Sequence, residues 1–313
     1  HVRPAYERVI ARCDEDMPNA LENPSGVGST QPNGAEYYAY RLREMTTTDM
    51  TADQIHELGL AEVARLRGEM EALKDKVGFK GDLQAFWKFI ATDPRFKFPN
   101  TDEGRQAYID EATRVIDNIK QHLPEYFGLL PKADLVVKRV EPFREQPGAA
   151  QHYYPGAPDG SRPGIYYAHL SDMNAMPRPE LEEMPGTYQD PYSGDGRVTT
   201  EMWRAIRLVV DTGLHAKGWT EEQAVDYFRA NSSIPLDAIR SEVRRYLVNP
   251  GQATAYKIGM IRIQQLRQKA ERELGERFDI RGFHDTVLGG GSMPLDLLEQ
   301  RVDRWIERKK QED

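Results

Sequence analysis

Apolar residues recur at spacings of three and four along most of this chain, and gather into β-branched or aromatic runs in only two short stretches. The pattern predicts a mainly α-helical protein with a small antiparallel β-sheet. Thr51 with Gln54 forms a capping-box start, and Ile55, Leu58, Leu66, Met70, Leu73 and Val77 share a stripe that ends at Gly78. A shorter helix fits Leu83 to Ile90. Thr101 caps another, whose face carries Tyr108, Ala112, Val115, Ile119 and Leu123 and which is expected to stop before Pro124. The period then changes. Residues 134–140 (DLVVKRV) and 164–170 (GIYYAHL) are β-branched or aromatic runs bounded by Pro and Gly, which predicts two or three strands.

Beyond the strands, residues 171–197 form a Pro-rich connection of unusual length for a compact domain. From Thr199 the helical period returns. One helix carries Met202, Trp203, Ile206, Val209, Val210 and Leu214, and Gly218 closes it. Thr220 with Gln223 is a second capping box. Pro235 suits the start of a helix that Pro250-Gly251 breaks, and further helices carry Tyr256 to Leu266, Phe283, and Pro294 to Ile306. The first 50 residues mix short helical pieces with turn chemistry, as expected of a segment that folds onto a larger body. The chain thus reads as one helical domain, with a helical and small-sheet half over 1–183 and a helical half over 184–313.

Charge and composition narrow the function classes. There are 42 Lys and Arg against 50 Asp and Glu, a net charge of −8, and no concentrated basic patch, so nucleic acid is not an expected partner. A single cysteine, Cys13, rules out an intrachain disulfide framework and a Cys-rich metal site. No run of 18 apolar residues is present, so no transmembrane segment is expected, and the first residues lack the pattern of an export signal. The seven histidines are scattered, and none forms a helical H-E-x-x-H pair. His56-Glu57 begins one, but residue 60 is Leu.

Two constellations could carry chemistry. Arg207, Asp211 and His215 stand at i, i+4 and i+8, a straight row on one helix, where a carboxylate one turn from an imidazole can fix its tautomer. The alternative is an ion-paired helix face with a histidine at the negative end of the dipole. The second is the stretch from Arg245 to Gly259, in which a helix stops at Pro250-Gly251 and restarts at once. That elbow sets fresh backbone donors beside Tyr246 and Tyr256, a geometry suited to a carboxylate or an oxyanion. The alternative here is a pair of core tyrosines with wet hydroxyls. Gly289-Gly290-Gly291-Ser292 lacks the Walker spacing and reads as a helix C-cap followed by a Ser292 N-cap.

The runs TEMWRAIRLVVDTGLHAKGWTEEQAVDYF, RRYLVNPGQATAYKIG and LGERFDIRGFHDTVLGGGSMPLDLLEQRVDRW, with shorter stretches at Pro32-Asn33-Gly34, 46–70 and 162–167, give the chain a family likeness over nearly its whole length. It resembles the bacterial domain of unknown function 885, whose members look like gluzincin-type zinc metallopeptidases with the helical architecture of carboxypeptidase Taq. The resemblance implies zinc, a peptide substrate, and a metal helix bearing H-E-x-x-P-G-H-H between Ser171 and Gly186. Only residues 172–185 stand there, without that motif. The zinc ligands are therefore absent from this chain, and the expectation is an incomplete peptidase domain whose metal segment lies outside this sequence. By the same resemblance His215, Tyr246 and Tyr256 flank the zinc and hydrogen-bond the tetrahedral intermediate. Arg207 and Arg245 orient them or bind a peptide carboxylate, and Asp211 sets the tautomer of His215. A cell-envelope lipoprotein is the implied location, with the cytoplasm as the alternative. The competing reading is an inactive peptidase-like binding or scaffold protein.

Overall fold

The computed structural model describes residues 2–20, 22–145, 151–175 and 193–312. The helices are α1 (Val2–Asp16), α2 (Val27–Thr30), α3 (Gly34–Thr46), α4 (Ala52–Lys76), α5 (Leu83–Thr92), α6 (Asp102–Tyr126), α7 (Ser193–Ala216), α8 (Glu221–Ala230), α9 (Leu236–Val248), α10 (Ala255–Leu274), α11 (Ile280–Leu288) and α12 (Leu295–Gln311). Between α6 and α7 lie the strands β1 (Leu135–Arg139), β2 (His152–Tyr154) and β3 (Gly164–Ala168). The protein is mainly helical with a small sheet, as its periodicity predicts.

Both capping boxes form. Thr51 accepts from the Gln54 amide while the Gln54 side chain accepts from Thr51 N–H, and Thr220 with Gln223 repeats the arrangement. Thr101 caps α6 through Gly104 N–H at 3.1 Å. That helix does not stop before Pro124 but runs two residues past it. A proline this close to a C-terminus removes a single ladder bond, which the last turn tolerates. Pro294, not Ser292, occupies the N-cap of α12. The connection expected over 171–197 ends sooner than its composition suggests, since α7 already begins at Ser193; residues 176–192 of that stretch lie outside the described residues.

The sheet corrects one expectation. β2 and β3 pair antiparallel as a hairpin, but β3 also pairs parallel with β1, in the order β1-β3-β2. The chain reverses twice between β1 and β3, and the second reversal slots β3 between its predecessors, so the sheet is mixed. One face rests on α6, where Tyr108 and Ala112 meet Ala168, Leu170 and Met173.

Packing of α4 against α7 dominates the molecule. Gly59 permits their close crossing, because a Cβ there would stand 2.7 Å from Leu208 Cβ. Around this pair α5, α8 and α9 close a core of Leu66, Met70, Phe86, Trp87, Ile206, Val209, Phe228 and Val243, drawn from both the 1–183 and the 184–313 stretches. Each such side chain contributes about 1.5–3 kcal/mol on burial. A second core joins α10, α11 and α12 through Leu266, Phe283, Val302 and Trp305.

An ion network, buried at Lys257 and Glu201 and exposed at its outer arginines, ties the two cores together. Lys257, fully buried on α10, donates to Glu62 of α4 at 2.8 Å and to Glu201 of α7 at 2.7 Å. Arg65 reaches the same two carboxylates and Glu69, and Arg197 pairs with Glu69 and Glu201 at 3.1 Å. Three cations thus meet three carboxylates. Hydrogen bonds from Arg65 and Lys257 hold the Glu62 carboxyl down at about 2 against the opposing pull of burial. Removing one partner of a buried pair leaves the others uncompensated. Lys257→Met should therefore lower the unfolding free energy by roughly 3 kcal/mol in urea titrations, and Lys257→Met with Glu201→Gln should recover part of that loss; a single variant as stable as the parent would show that the network carries no stability.

Candidate functional site around helix α7 and the α9–α10 elbow

The row predicted on α7 exists, and each member has a different partner. Arg207, one turn above Asp211, donates from Nε to the Tyr246 hydroxyl at 3.1 Å and from Nη2 to Glu242 at 3.0 Å. Asp211 is fully buried. Its Oδ1 accepts from the Tyr38 hydroxyl at 2.7 Å and from Gly251 N–H at 3.0 Å, while Oδ2 has no hydrogen-bond partner among the described residues. His215, also buried, accepts Val27 N–H on Nδ1 at 3.1 Å and donates from Nε2 to the Tyr246 carbonyl at 3.1 Å. The tautomer of His215 is therefore set by two backbone groups, and no hydrogen bond joins it to Asp211. The expected Asp211–His215 pairing is replaced because the nearest donors to the carboxylate belong to α3 and the elbow.

Tyr246 links both ends of the row. Its carbonyl receives His215, and its hydroxyl accepts from Arg207 and, at 3.4 Å, from Trp203 Nε1, while donating to Glu242 at 2.6 Å. Burial pushes the Tyr246 hydroxyl well above the ordinary phenol range, so it remains a neutral donor. Glu242 also accepts both Nε and Nη2 of Arg245, at 3.2 and 3.0 Å. Burial alone would raise the Glu242 carboxyl, but the hydrogen bonds from Arg245 and Tyr246 and the charge of Arg207 bring it below its usual value. Arg245 Nη1 reaches Gln252 Oε1 at 2.5 Å, and Gln252 Nε2 reaches the Tyr256 hydroxyl at 3.3 Å. The Arg207 guanidinium lies 5.3 Å from the Tyr256 ring centroid and 5.3 Å from that of Trp203.

The elbow owes its shape to Gly251, whose φ of 79° is a left-handed conformation that favours glycine. Asp211 anchors its N–H, and Arg41 of α3 holds the preceding residues through Pro250 O at 3.3 Å and Asn249 Oδ1 at 2.9 Å. Tyr256 follows on the first turn of α10, 49% exposed, whereas Tyr246 and His215 are sealed. Of the three residues expected to meet an intermediate, Tyr256 is the one open to solvent. Glu242, Gln252 and Tyr38 complete the cluster and were not singled out as site residues from sequence. Glu242 stands three and four residues before Arg245 and Tyr246, a spacing that could have flagged it.

A family model described as bacterial protein of unknown function (DUF885) matches residues 1–185 and 181–302. The chain belongs to that family. A solved structure from Colwellia psychrerythraea, named "putative lipoprotein", is 30% identical with a TM-score of 0.92, over 98% of this chain and 61% of the other. A second, named "putative lipoprotein of unknown function" and from Shewanella oneidensis, shares the fold at 18% identity and a TM-score of 0.70, over 94% of this chain and 63% of the other. The chain thus spans less than two thirds of either structure. Comparison with functionally curated proteins finds no match. None of the described helices is long and apolar enough to cross a membrane. Among the described residues no group of three His, Cys, Asp or Glu could hold a metal ion. His56, the start of the broken H-E pair, instead bonds Thr212 Oγ1 at 2.7 Å inside the α4–α7 contact.

The buried acid and the buried base of the row pull stability in opposite directions with pH. Burial raises the Asp211 carboxyl to about 7, against the hydrogen bonds of Tyr38 and Gly251, so the folded protein holds a proton there that the unfolded chain releases near 4. This contribution is fully present below the unfolded value and is lost as pH rises through about 7. Burial lowers His215 to about 4, so its contribution is present above about 6.5 and is lost as pH falls toward 4. The two nearly cancel in that window. Asp211→Asn should unmask the histidine: relative to the parent, the variant should lose stability at roughly 1.4 kcal/mol per pH unit between about pH 7 and 4. Parallel stability-versus-pH curves for parent and variant would refute the assignment.

Proposed function

We propose that this chain forms part of a peptide hydrolase of the DUF885 family, in which the cluster at the α9–α10 elbow receives a peptide carboxylate. One observation carries the reading: the guanidiniums of Arg207 and Arg245 converge on the single carboxylate of Glu242, leaving one positive charge beside the half-exposed Tyr256. Among the described residues no hydrogen bond uses Arg207 Nη1, so a donor is left for a ligand. Charge-assisted bonds from arginine to a carboxylate are strong enough to fix the end of a peptide. Tyr256 is the residue placed to donate to a bound carbonyl or an oxyanion, with Gln252 holding its hydroxyl, whereas His215 and Tyr246 support the wall behind it.

Peptidase chemistry of the kind this family resembles would use zinc. The described residues do not fit such an ion, and no step is routed through one. Two findings support a further segment that could supply its ligands: the family match breaks at residues 181–185, and the Colwellia structure is longer than the part matched here. The names of the two similar structures support a lipoprotein of the cell envelope as the proposed location.

Titration of N-acetyl-trialanine and its C-terminal amide, followed by calorimetry, tests the binding step. The free acid should bind at least tenfold more tightly, and Arg245→Gln should erase most of that margin. Equal affinities for acid and amide would end the reading. In the full-length protein, Tyr256→Phe should lower peptide turnover by about tenfold or more with the melting temperature unchanged; undiminished turnover would remove Tyr256 from the chemistry.

A further inference from the structure

Asp211 is the fully buried member of the α7 row that keeps a polar atom without a partner among the described residues. It is a carboxyl with one oxygen engaged twice and the other without a hydrogen-bond partner among the described residues. A charge in that position lacks compensation on Oδ2, and a proton in that position lacks an acceptor, so neither state is strongly preferred. What surrounds it is the carboxylate site. Gly251, whose N–H it holds, is followed directly by Gln252, which links Arg245 to Tyr256. Arg245 on α9 and Arg41 on α3 are the cations that act on the Asp211 charge. Arg41 itself clamps Asn249 and Pro250 at the same elbow.

We propose that Asp211 is a proton-controlled regulator of the Arg207–Arg245 carboxylate site, acting through the Gly251 turn and through the field of its charge at Arg245. The proposal rests on the carboxylate-binding reading above and names its regulation. Arg41 is offset by Glu44, with which it pairs, so with Asp211 ionised the guanidiniums of Arg207 and Arg245 are balanced by Glu242 and Asp211, and an incoming carboxylate meets a neutral site. With Asp211 protonated, one positive charge is uncompensated and the ligand is drawn in. By linkage, a bound carboxylate favours the proton on Asp211, so binding strengthens as pH falls through neutrality. The other titratable groups around Asp211 do not share this part. Tyr38 on α3 is held far above the ordinary phenol range by burial and by Asp211 itself, and stays a donor. His215, one turn along α7 with its ring 5.0 Å from that of Tyr38, is kept neutral by burial. From α4, His56 is bonded to Thr212, and burial lowers its tendency to charge. From α10, Lys257 is committed to Glu62 and Glu201.

The test has a ligand-free arm and a ligand arm, both on the intact chain. In the absence of peptide, side-chain NMR signals of Arg245 and Gln252 should shift with pH on a single midpoint near neutrality, and Asp211→Asn should abolish that titration. In the second arm, the affinity for N-acetyl-trialanine should rise about fivefold from pH 8.5 to 5.5 in the parent and stay flat in Asp211→Asn. Tyr38→Phe keeps the carboxyl but removes a hydrogen bond that favours its charged form, so it should move both midpoints to higher pH. If the Arg245 and Gln252 signals ignore pH, or titrate unchanged in Asp211→Asn, the regulation is overturned whatever the peptide does. If those signals titrate as expected and the peptide fails to bind at either pH, the carboxylate site falls while the coupling of Asp211 to the elbow stands.

Discussion

Helix α7 sets a part-buried guanidinium, a buried carboxylate and a buried imidazole along one face, and the surrounding chain is organised by the need to satisfy them. A buried polar group without a partner costs on the order of 1–3 kcal/mol, so three such groups on one helix would consume much of the stability of an ordinary domain. The partners come from far away in sequence: Val27 and Tyr38 before the sheet, Glu242, Tyr246 and Gly251 after it. The placement of α2, α3 and the α9–α10 elbow follows from this requirement as much as from apolar packing.

In the proposed site, the groups that would meet a ligand also hold the fold together. Glu242 neutralises one guanidinium's worth of charge and at the same time fixes the Tyr246 hydroxyl that braces Arg207. A site built this way is rigid toward the core and open at its rim, where Tyr256 and Arg245 are reached from solvent. Pre-organised donors of this kind bind a carboxylate without first having to be ordered, which is what makes a small cluster effective.

Much of this architecture is legible in the sequence, because helix periodicity and capping residues are local signals. Thr51 with Gln54, Thr220 with Gln223, and the Pro250-Gly251 break each act within a few residues, and each forms as read. The straight row of Arg207, Asp211 and His215 is equally local. Its partners are not: nothing in the spacing of α7 says that Asp211 will meet Tyr38, 173 residues away, in preference to His215 one turn on. The mixed sheet escaped for the same reason, since strand order depends on long-range insertion of β3. Lys257 was invisible for a different one. A lysine at an apolar register reads as a solvated side chain until Glu62 and Glu201 are brought to it from two other helices.

The pinning of residues 23–27 bears on how the chain folds. Ser25 and Val27 bond Trp219 O and His215, Glu222 N–H bonds Asn23, and Glu221 N–H bonds Pro24, across separations of nearly two hundred residues. Loops that long close slowly relative to local helices, and their entropy is lost before the contacts reward it. During synthesis Val27 can meet α3 early, but the hydrogen bonds of this segment to Trp219, His215, Glu221 and Glu222 wait until α7 and the start of α8 have emerged. The seam therefore joins residues 23–27 to α7 and α8 across a long intervening stretch, and the histidine at that seam gains its Val27 partner only once that loop has closed.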